Sequence, residues 1–410
     1  MDECINEPSP RRTCIRLALI CTFVYFSSYV TRIDLAAVLV AVEETGFSSR
    51  SDAALALALT AIAYGIGQMI SGWLADRYDP RHVVFCGLLL TACCNAVAGV
   101  TGGSVLAPLW ALNGLAQSFM WPPIVRILAA NLPPTEYNRA SMWVNMGGLV
   151  GTMSVYLCAP YIIKLLNIRF VFWFAGTIAI AAAFIWIFAT RLYASSPKRS
   201  ETNRDLHISN EITGGRRVYL FILIMASILI LGALRDGISN WMPTFLSDRF
   251  GLESSSAVLS GALLPICGIL SYLLTQQLHK RVLKNELLCA SVIFATGAAA
   301  AFLLRFFQGG SSTLSTICLA IVAGSMHGVN LMLICIVPPF FAKNGKVGSI
   351  AGIMNAGVYA GSAIATYGIP LISSESGKNS HLDLCLAAAL CGMIFCAASV
   401  LKWNVKENDK

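Results

Sequence analysis

Long stretches of this chain contain no Asp, Glu, Lys, Arg or His, and that limits its folding options more than any other feature. Such runs occupy residues 53–75, 83–125, 140–163, 170–190, 218–234, 254–278, 287–304, 347–374 and 384–401, and 306–342 holds only His327. A bilayer needs about 20 apolar residues per helix, and in lipid every backbone polar group must be satisfied within the segment. Only 12% of the residues are charged, against about 25% in a soluble domain. A soluble enzyme, a secreted disulfide scaffold and a disordered chain are therefore excluded.

The runs count out to twelve spans. The 43-residue stretch 83–125 is too long for one helix. It divides into two at Thr101-Gly102-Gly103-Ser104, whose glycines favour a tight turn. Residues 306–342 read as an exit loop and one helix. A first span near 17–40 is interrupted by Arg32 and Asp34. Arg11, Arg12 and Arg16 precede it with no small-residue cleavage site behind, which suggests an uncleaved first span. The expected fold is an all-α membrane protein of twelve transmembrane helices in two pseudo-symmetric six-helix bundles.

Orientation follows from the basic residues. With the N-terminus inside, the outer loops hold only Arg50, Lys164, Arg169, Arg249, Arg305 and Lys378, while twenty Lys and Arg fall on the cytoplasmic side. That bias places both termini in the cytoplasm. It also accounts for the net charge of +8 without a nucleic-acid partner. The 14 cysteines lie mostly in apolar runs, without metal-ligand spacing, and read as helix-packing residues. No metal, cofactor or catalytic constellation is expected. The expected setting is the plasma membrane, with the lipid bilayer and a small anion as partners and the monomer as the working unit.

Residues 191–217 form the longest polar stretch and divide the chain six spans from six. The expected domains are 1–190, a cytoplasmic linker 191–217, and 218–410. The halves echo each other. Asn145-Met146-Gly147-Gly148-Leu149-Val150-Gly151-Thr152 matches Asn355-Ala356-Gly357-Val358-Tyr359-Ala360-Gly361-Ser362, and Arg32 corresponds to Arg235. Repeats of this kind mark transporters whose site lies between the halves. The glycines of the fifth and eleventh spans read as packing residues that let helices approach.

Arginine at the bilayer centre costs about 2.5–3.5 kcal/mol on insertion scales. Arg32, Arg126 and Arg235 stand out for that reason. Arg126 could snorkel to the cytoplasmic end of its helix, but Arg32 and Arg235 lie well inside theirs. Two guanidiniums facing one cavity would repel unless an anion lay between them, and their forks suit phosphate or carboxylate. Asp34 and Asp236 lie beside them, at spacings of two and one rather than the three or four that bring side chains together on a helix. Neutralisation within the helix is therefore expected to be poor, and both acids are candidates for proton coupling. Tyr25, Tyr29 and Arg32 share one helical face, and so do Tyr64 and Gln68.

Gly72-Trp73-Leu74-Ala75-Asp76-Arg77-Tyr78-Asp79-Pro80-Arg81, between the second and third spans, resembles the signature loop of the major facilitator superfamily. Its charged residues Asp76, Arg77 and Arg81 can pair across helix ends as a conformational latch. Tyr25, Tyr29, Arg32, Tyr64-Gly65, Asn113-Gly114-Leu115-Ala116-Gln117, Trp121-Pro122-Pro123, Arg126 and Leu234-Arg235-Asp236-Gly237 resemble the organophosphate:phosphate antiporters of that superfamily. The resemblance implies the major facilitator fold, phosphoryl binding by Arg32 and Arg235, and supporting cavity roles for Tyr29 and Tyr64. This chain departs from the family pattern at Gln68, where a lysine is usual, and at Gly147 and Gly232, where a histidine and a tyrosine occur.

The function expected is secondary transport of small organic anions, with phosphate esters exchanged for inorganic phosphate by alternating access. The substrate residues would be Arg32, Arg235, Tyr29, Tyr64 and Gln68, with Asp34 and Asp236 as coupling candidates. A proton-coupled organic-acid or drug carrier is the alternative, and a transporter-like sugar-phosphate sensor is a more distant one. An enzyme is not expected.

Overall fold

A computed structural model describes residues 10–38, 41–42, 45–193, 214–251, 263–307, 311–342, 346–376, 380–401 and 403. Most of the polar linker and both tails lie outside them. Ten helices among the described residues are long and apolar enough to cross a membrane. Two further apolar segments, 106–131 and Leu263–Arg281, bring the set to twelve. The chain forms two compact units, 1–60 with 73–200 and 61–72 with 201–410.

In the first unit, α1 (Pro10–Ala37) packs along α6 (Pro134–Leu165) and α7 (Ile168–Ala189). Glycine makes this possible: a Cβ on Gly151 would lie 2.6 Å from the Phe26 carbonyl, and one on Gly147 2.7 Å from that of Thr22. The same device recurs in the second unit, where Gly361 lies on the Leu229 backbone of α8 (Gly214–Phe250) and Gly232 on the Val358 backbone of α13 (Val347–Ser376). These glycines are packing residues, as the repeat suggested. They also explain two departures from the family pattern, since neither Gly147 nor Gly232 has room for a side chain.

Helix α2 (Arg50–Arg77) belongs to both units, with residues 61–72 joining the second. There it runs antiparallel to α13 along glycines. A Cβ on Gly72 would meet the Gly348 carbonyl at 2.5 Å, and one on Gly352 would strike the Gln68 backbone.

Helix α3 (Pro80–Val100) starts on proline behind an Asp79 cap. It ends before Gly102 and Gly103, both at positive φ, which is the turn expected there. Two spans depart from expectation. The fourth is not one helix but α4 (Leu106–Ser118) and α5 (Trp121–Asn131), interrupted at Phe119-Met120. The tenth is also divided. After α9 (Leu263–Arg281) and α10 (Glu286–Phe306), α11 (Ser312–Asn330) continues as a π-helical turn, Leu331–Ile336, then the short α12 (Pro338–Phe341). Proline lacks an N–H and its ring crowds the carbonyl four residues back. Pro122-Pro123 and Pro338-Pro339 supply the cause in each span, and Val337 N–H bonds to the Met332 carbonyl, five residues back, at 3.1 Å. The last helix, α14 (Ser380–Val400), packs on α10 and α8.

Candidate functional site

Arg32 is partly buried on α1, with its guanidinium 5.3 Å from the centre of the Tyr29 ring. Tyr29 in turn lies over Gly148. Tyr25, from the same face, is buried against Tyr29 and Trp121 at ring distances of 5.1 and 5.6 Å. It packs against the start of α5.

The α1 backbone beneath Arg32 is tied into a buried polar network. Ser28 donates to Gln117 Oε1 at 2.8 Å, and Gln117 Nε2 donates to the hydroxyls of Thr31 and Thr91 at 2.7 and 2.9 Å. Asn113 Nδ2 donates to the Thr31 carbonyl at 3.0 Å, and Thr91 donates to Asn113. All five side chains are at most 3% exposed. In a water-free layer such groups are expensive to leave unsatisfied, so this set fixes α1 against α3 and α4.

Asp34 does not face Arg32. It is fully buried, its Oδ1 accepts from the Leu35 amide at 2.7 Å, and its Oδ2 has no hydrogen bond among the described residues. It borders a mostly apolar cavity of about 100 Å³ with Phe26, Val30, Val155, Ala159 and Val171, on the α6 and α7 side of α1.

In the second unit Arg235 is held by side chains on two edges. Its Nε and Nη2 donate to Asp236 Oδ1 and Oδ2 at 2.6 and 3.1 Å, and its Nη1 donates to Asn330 Oδ1 at 3.2 Å. This corrects the expectation that neutralisation within the helix would be poor. Neighbouring side chains diverge by about 100°, and the long arginine folds back over that angle to place its fork on Asp236. Asn330 Nδ2 donates to the Tyr272 hydroxyl at 3.2 Å, and the Tyr272 ring lies 5.6 Å from that of His327.

Tyr64 and Gln68 lie with the second unit. The Tyr64 ring meets Tyr359 at 4.4 Å, and fully buried Gln68 accepts from Asn355 Nδ2 at 3.0 Å. Two residues four apart on α2 thus face two residues four apart on α13.

The loop charges separate into different environments. Arg77 is exposed over Trp73. Arg81 forks onto Asp79, with Nη2 2.6 Å from Oδ2, and donates to the carbonyls of Thr190 and Tyr193 at the end of α7. Burial pushes the Asp79 carboxyl up, but the Arg81 hydrogen bonds and charge, with His82, outweigh it and hold the carboxyl below its ordinary range. Arg126 is not a freely snorkelling side chain. It is 11% exposed, its Nη1 is 3.8 Å from Asp76, and its Nε and Nη1 have no hydrogen bond among the described residues.

Sequence reasoning missed Asn330, Tyr272, Thr31 and Thr91. A lone polar residue inside the apolar run that leads to Pro338-Pro339, eight residues on, was the available signal for Asn330. No group of three or more metal-ligating side chains occurs among the described residues.

Twelve apolar segments among the described residues, with a repeated arginine and repeated glycine seams, define a transporter-type membrane protein. The sequence profile of the Major Facilitator Superfamily matches residues 17–366, and the chain belongs to that superfamily. It is 24% identical over 405 residues to the glycerol-3-phosphate transporter of Bacillus subtilis (strain 168), covering 93% of this chain and 90% of that one. It is 22% identical over 377 residues to a probable hexose phosphate transport protein of Chlamydia pneumoniae, covering 85% and 82%. The E. coli fucose:proton symporter FucP has the same fold, with a TM-score of 0.73 at 13% identity over 95% of this chain and 99% of that one.

Proposed function

We propose that the protein is a secondary active transporter of small organic anions, with phosphate esters exchanged for inorganic phosphate by alternating access. It would act as a monomer in the plasma membrane, with both termini cytoplasmic and residues 1–190 and 218–410 as its two moving bundles. The observation that carries this reading is the Arg235 fork on Asp236. A guanidinium at membrane depth is already bound to a carboxylate, and an arriving anion of similar geometry can take that place. Arg32, backed by Tyr29, would supply the second guanidinium, and Tyr64 and Gln68 would support the site. The relatives named for glycerol 3-phosphate and hexose phosphate point to the same substrate class. Asp76, with Arg126, Arg77 and Arg81, would latch one conformation.

The test is counterflow. Proteoliposomes loaded with inorganic phosphate should take up labelled phosphate or glycerol 3-phosphate with no proton gradient. Uptake that needs an inward proton gradient and ignores internal phosphate would replace this reading with a proton-coupled organic-acid carrier. Asp34 is the observation favouring that second reading, because its buried Oδ2 has no hydrogen bond among the described residues. In that case Asp34→Asn should abolish the gradient dependence.

A further inference from the structure

Arg235 has a second holder besides Asp236, and the chemistry of its contact has only one polarity. A guanidinium carries donors only. Asn330 must therefore turn its amide oxygen to Arg235, which leaves its NH2 group to face Tyr272, and the Tyr272 oxygen accepts at 3.2 Å. Asn330 is 4% exposed and Tyr272 2%, so little water is at hand to substitute for either.

The surrounding backbone is built to place this pair. Gly324 and Gly328, one turn apart on α11, lie against the Cys267 and Thr275 turns of α9 with no room for a Cβ. That close approach brings Tyr272 alongside the end of α11. Asn330 is the last α-helical residue before the π-helical turn. Such turns commonly occur at functional sites, and here the turn shifts the register of the residues that follow without moving Asn330 off α9.

We infer that Asn330, oriented by Tyr272, is a positioning residue that keeps the Arg235 guanidinium aimed for an anion when Asp236 gives way. The inference rests on the proposed role of Arg235. Asp236 grips the Nε–Nη2 edge, and Asn330 grips Nη1. Two grips on different edges fix the plane of the group. With Asn330 removed, Asp236 still grips the Nε–Nη2 edge, and that carboxylate competes with the anion. Binding then weakens, while the chemistry of helix movement is untouched.

The experiment measures phosphate counterflow in proteoliposomes as KM and maximal rate, with Arg235→Ala, Asn330→Ala, Tyr272→Phe and the Asn330→Ala/Tyr272→Phe double variant. Expected are loss of exchange in Arg235→Ala, a KM raised about tenfold with near-normal maximal rate in Asn330→Ala, and a smaller KM increase in Tyr272→Phe. The double variant should be no worse than Asn330→Ala, because the two residues act in one chain. Tyr272→Phe removes a single oxygen and keeps the test open if Asn330→Ala does not fold. Unchanged KM in Asn330→Ala and Tyr272→Phe, or additive costs in the double variant, would overturn the inference while leaving the role of Arg235 standing. Near-normal exchange in Arg235→Ala would overturn that role, and this inference with it.

Discussion

Arg32 and Arg235 occupy equivalent places in the repeat, yet their surroundings differ. Around Arg32 the helix is held, with Ser28 and Thr31 bonded to Gln117 and Asn113, and the guanidinium lies by the Tyr29 ring. Around Arg235 the guanidinium itself is held, by Asp236 and Asn330. The companion acids show why. An acid two residues on is turned about 200° around the helix, and one residue on about 100°. Asp34 therefore faces away, toward α6 and α7, whereas Asp236 comes within reach of the arginine fork. The repeat has preserved the arginine and moved its companion acid.

Exchanging each arginine for lysine breaks the comparison most severely. Arg32→Lys and Arg235→Lys should each lower phosphate exchange about 100-fold or more, because a lysine keeps the charge but loses the planar fork. Both variants should stay folded by size-exclusion chromatography. Near-normal exchange in either would mean that charge alone suffices there.

Neutralising the two acids should separate the halves. Asp236→Asn removes a competitor for Arg235 and should tighten phosphate binding by up to about tenfold, equivalent to about 1.4 kcal/mol. Asp34→Asn should leave gradient-free exchange unchanged. Isothermal titration of purified protein with phosphate reads the first effect and counterflow the second. A loss of affinity in Asp236→Asn would assign the acid to the site rather than to competition.

Gln117→Leu tests the held helix. It removes three buried hydrogen bonds, each worth about 0.6 kcal/mol between membrane helices, so a loss of roughly 2 kcal/mol is expected as a lower melting temperature in detergent. An unchanged melting temperature would remove the network as the support of Arg32.

The smallest effect is at the loop. The Asp79 carboxyl is held below its ordinary range, so its contribution is present above the usual carboxylate range and is lost as pH falls through the depressed value. Between pH 7 and pH 3 the wild type should lose slightly more thermal stability than Asp79→Asn, which retains a capping oxygen. Equal losses would show that the Arg81 fork contributes nothing.

Sequence features that depend on local physics were legible. Charge-free runs gave the spans, Gly102-Gly103 gave the turn, and the repeated glycines gave helix seams, because each depends on a residue and its immediate neighbours. What escaped was long range or turned on a single bond. Gln117 was visible, but its partners on α1 and α3 lie 86 and 26 residues away. The π-helical turn was hidden because Pro338-Pro339 predicts a distortion without choosing between a break, as at Pro122-Pro123, and a widened turn. Counting faces at spacings of three and four discounted Asp236, since that rule ignores how far an arginine can fold back.

The glycine contact between α2 and α13 has an entropic consequence. At Gly72, Gly348 and Gly352 the approach is backbone on backbone. An exposed lysine or glutamine loses about 1.5–2 kcal/mol of rotamer freedom when it is ordered, and glycine loses none. At these positions the contact therefore freezes no side chain, and the rotamer cost of the α2–α13 pair falls on Tyr64, Gln68 and their partners Tyr359 and Asn355.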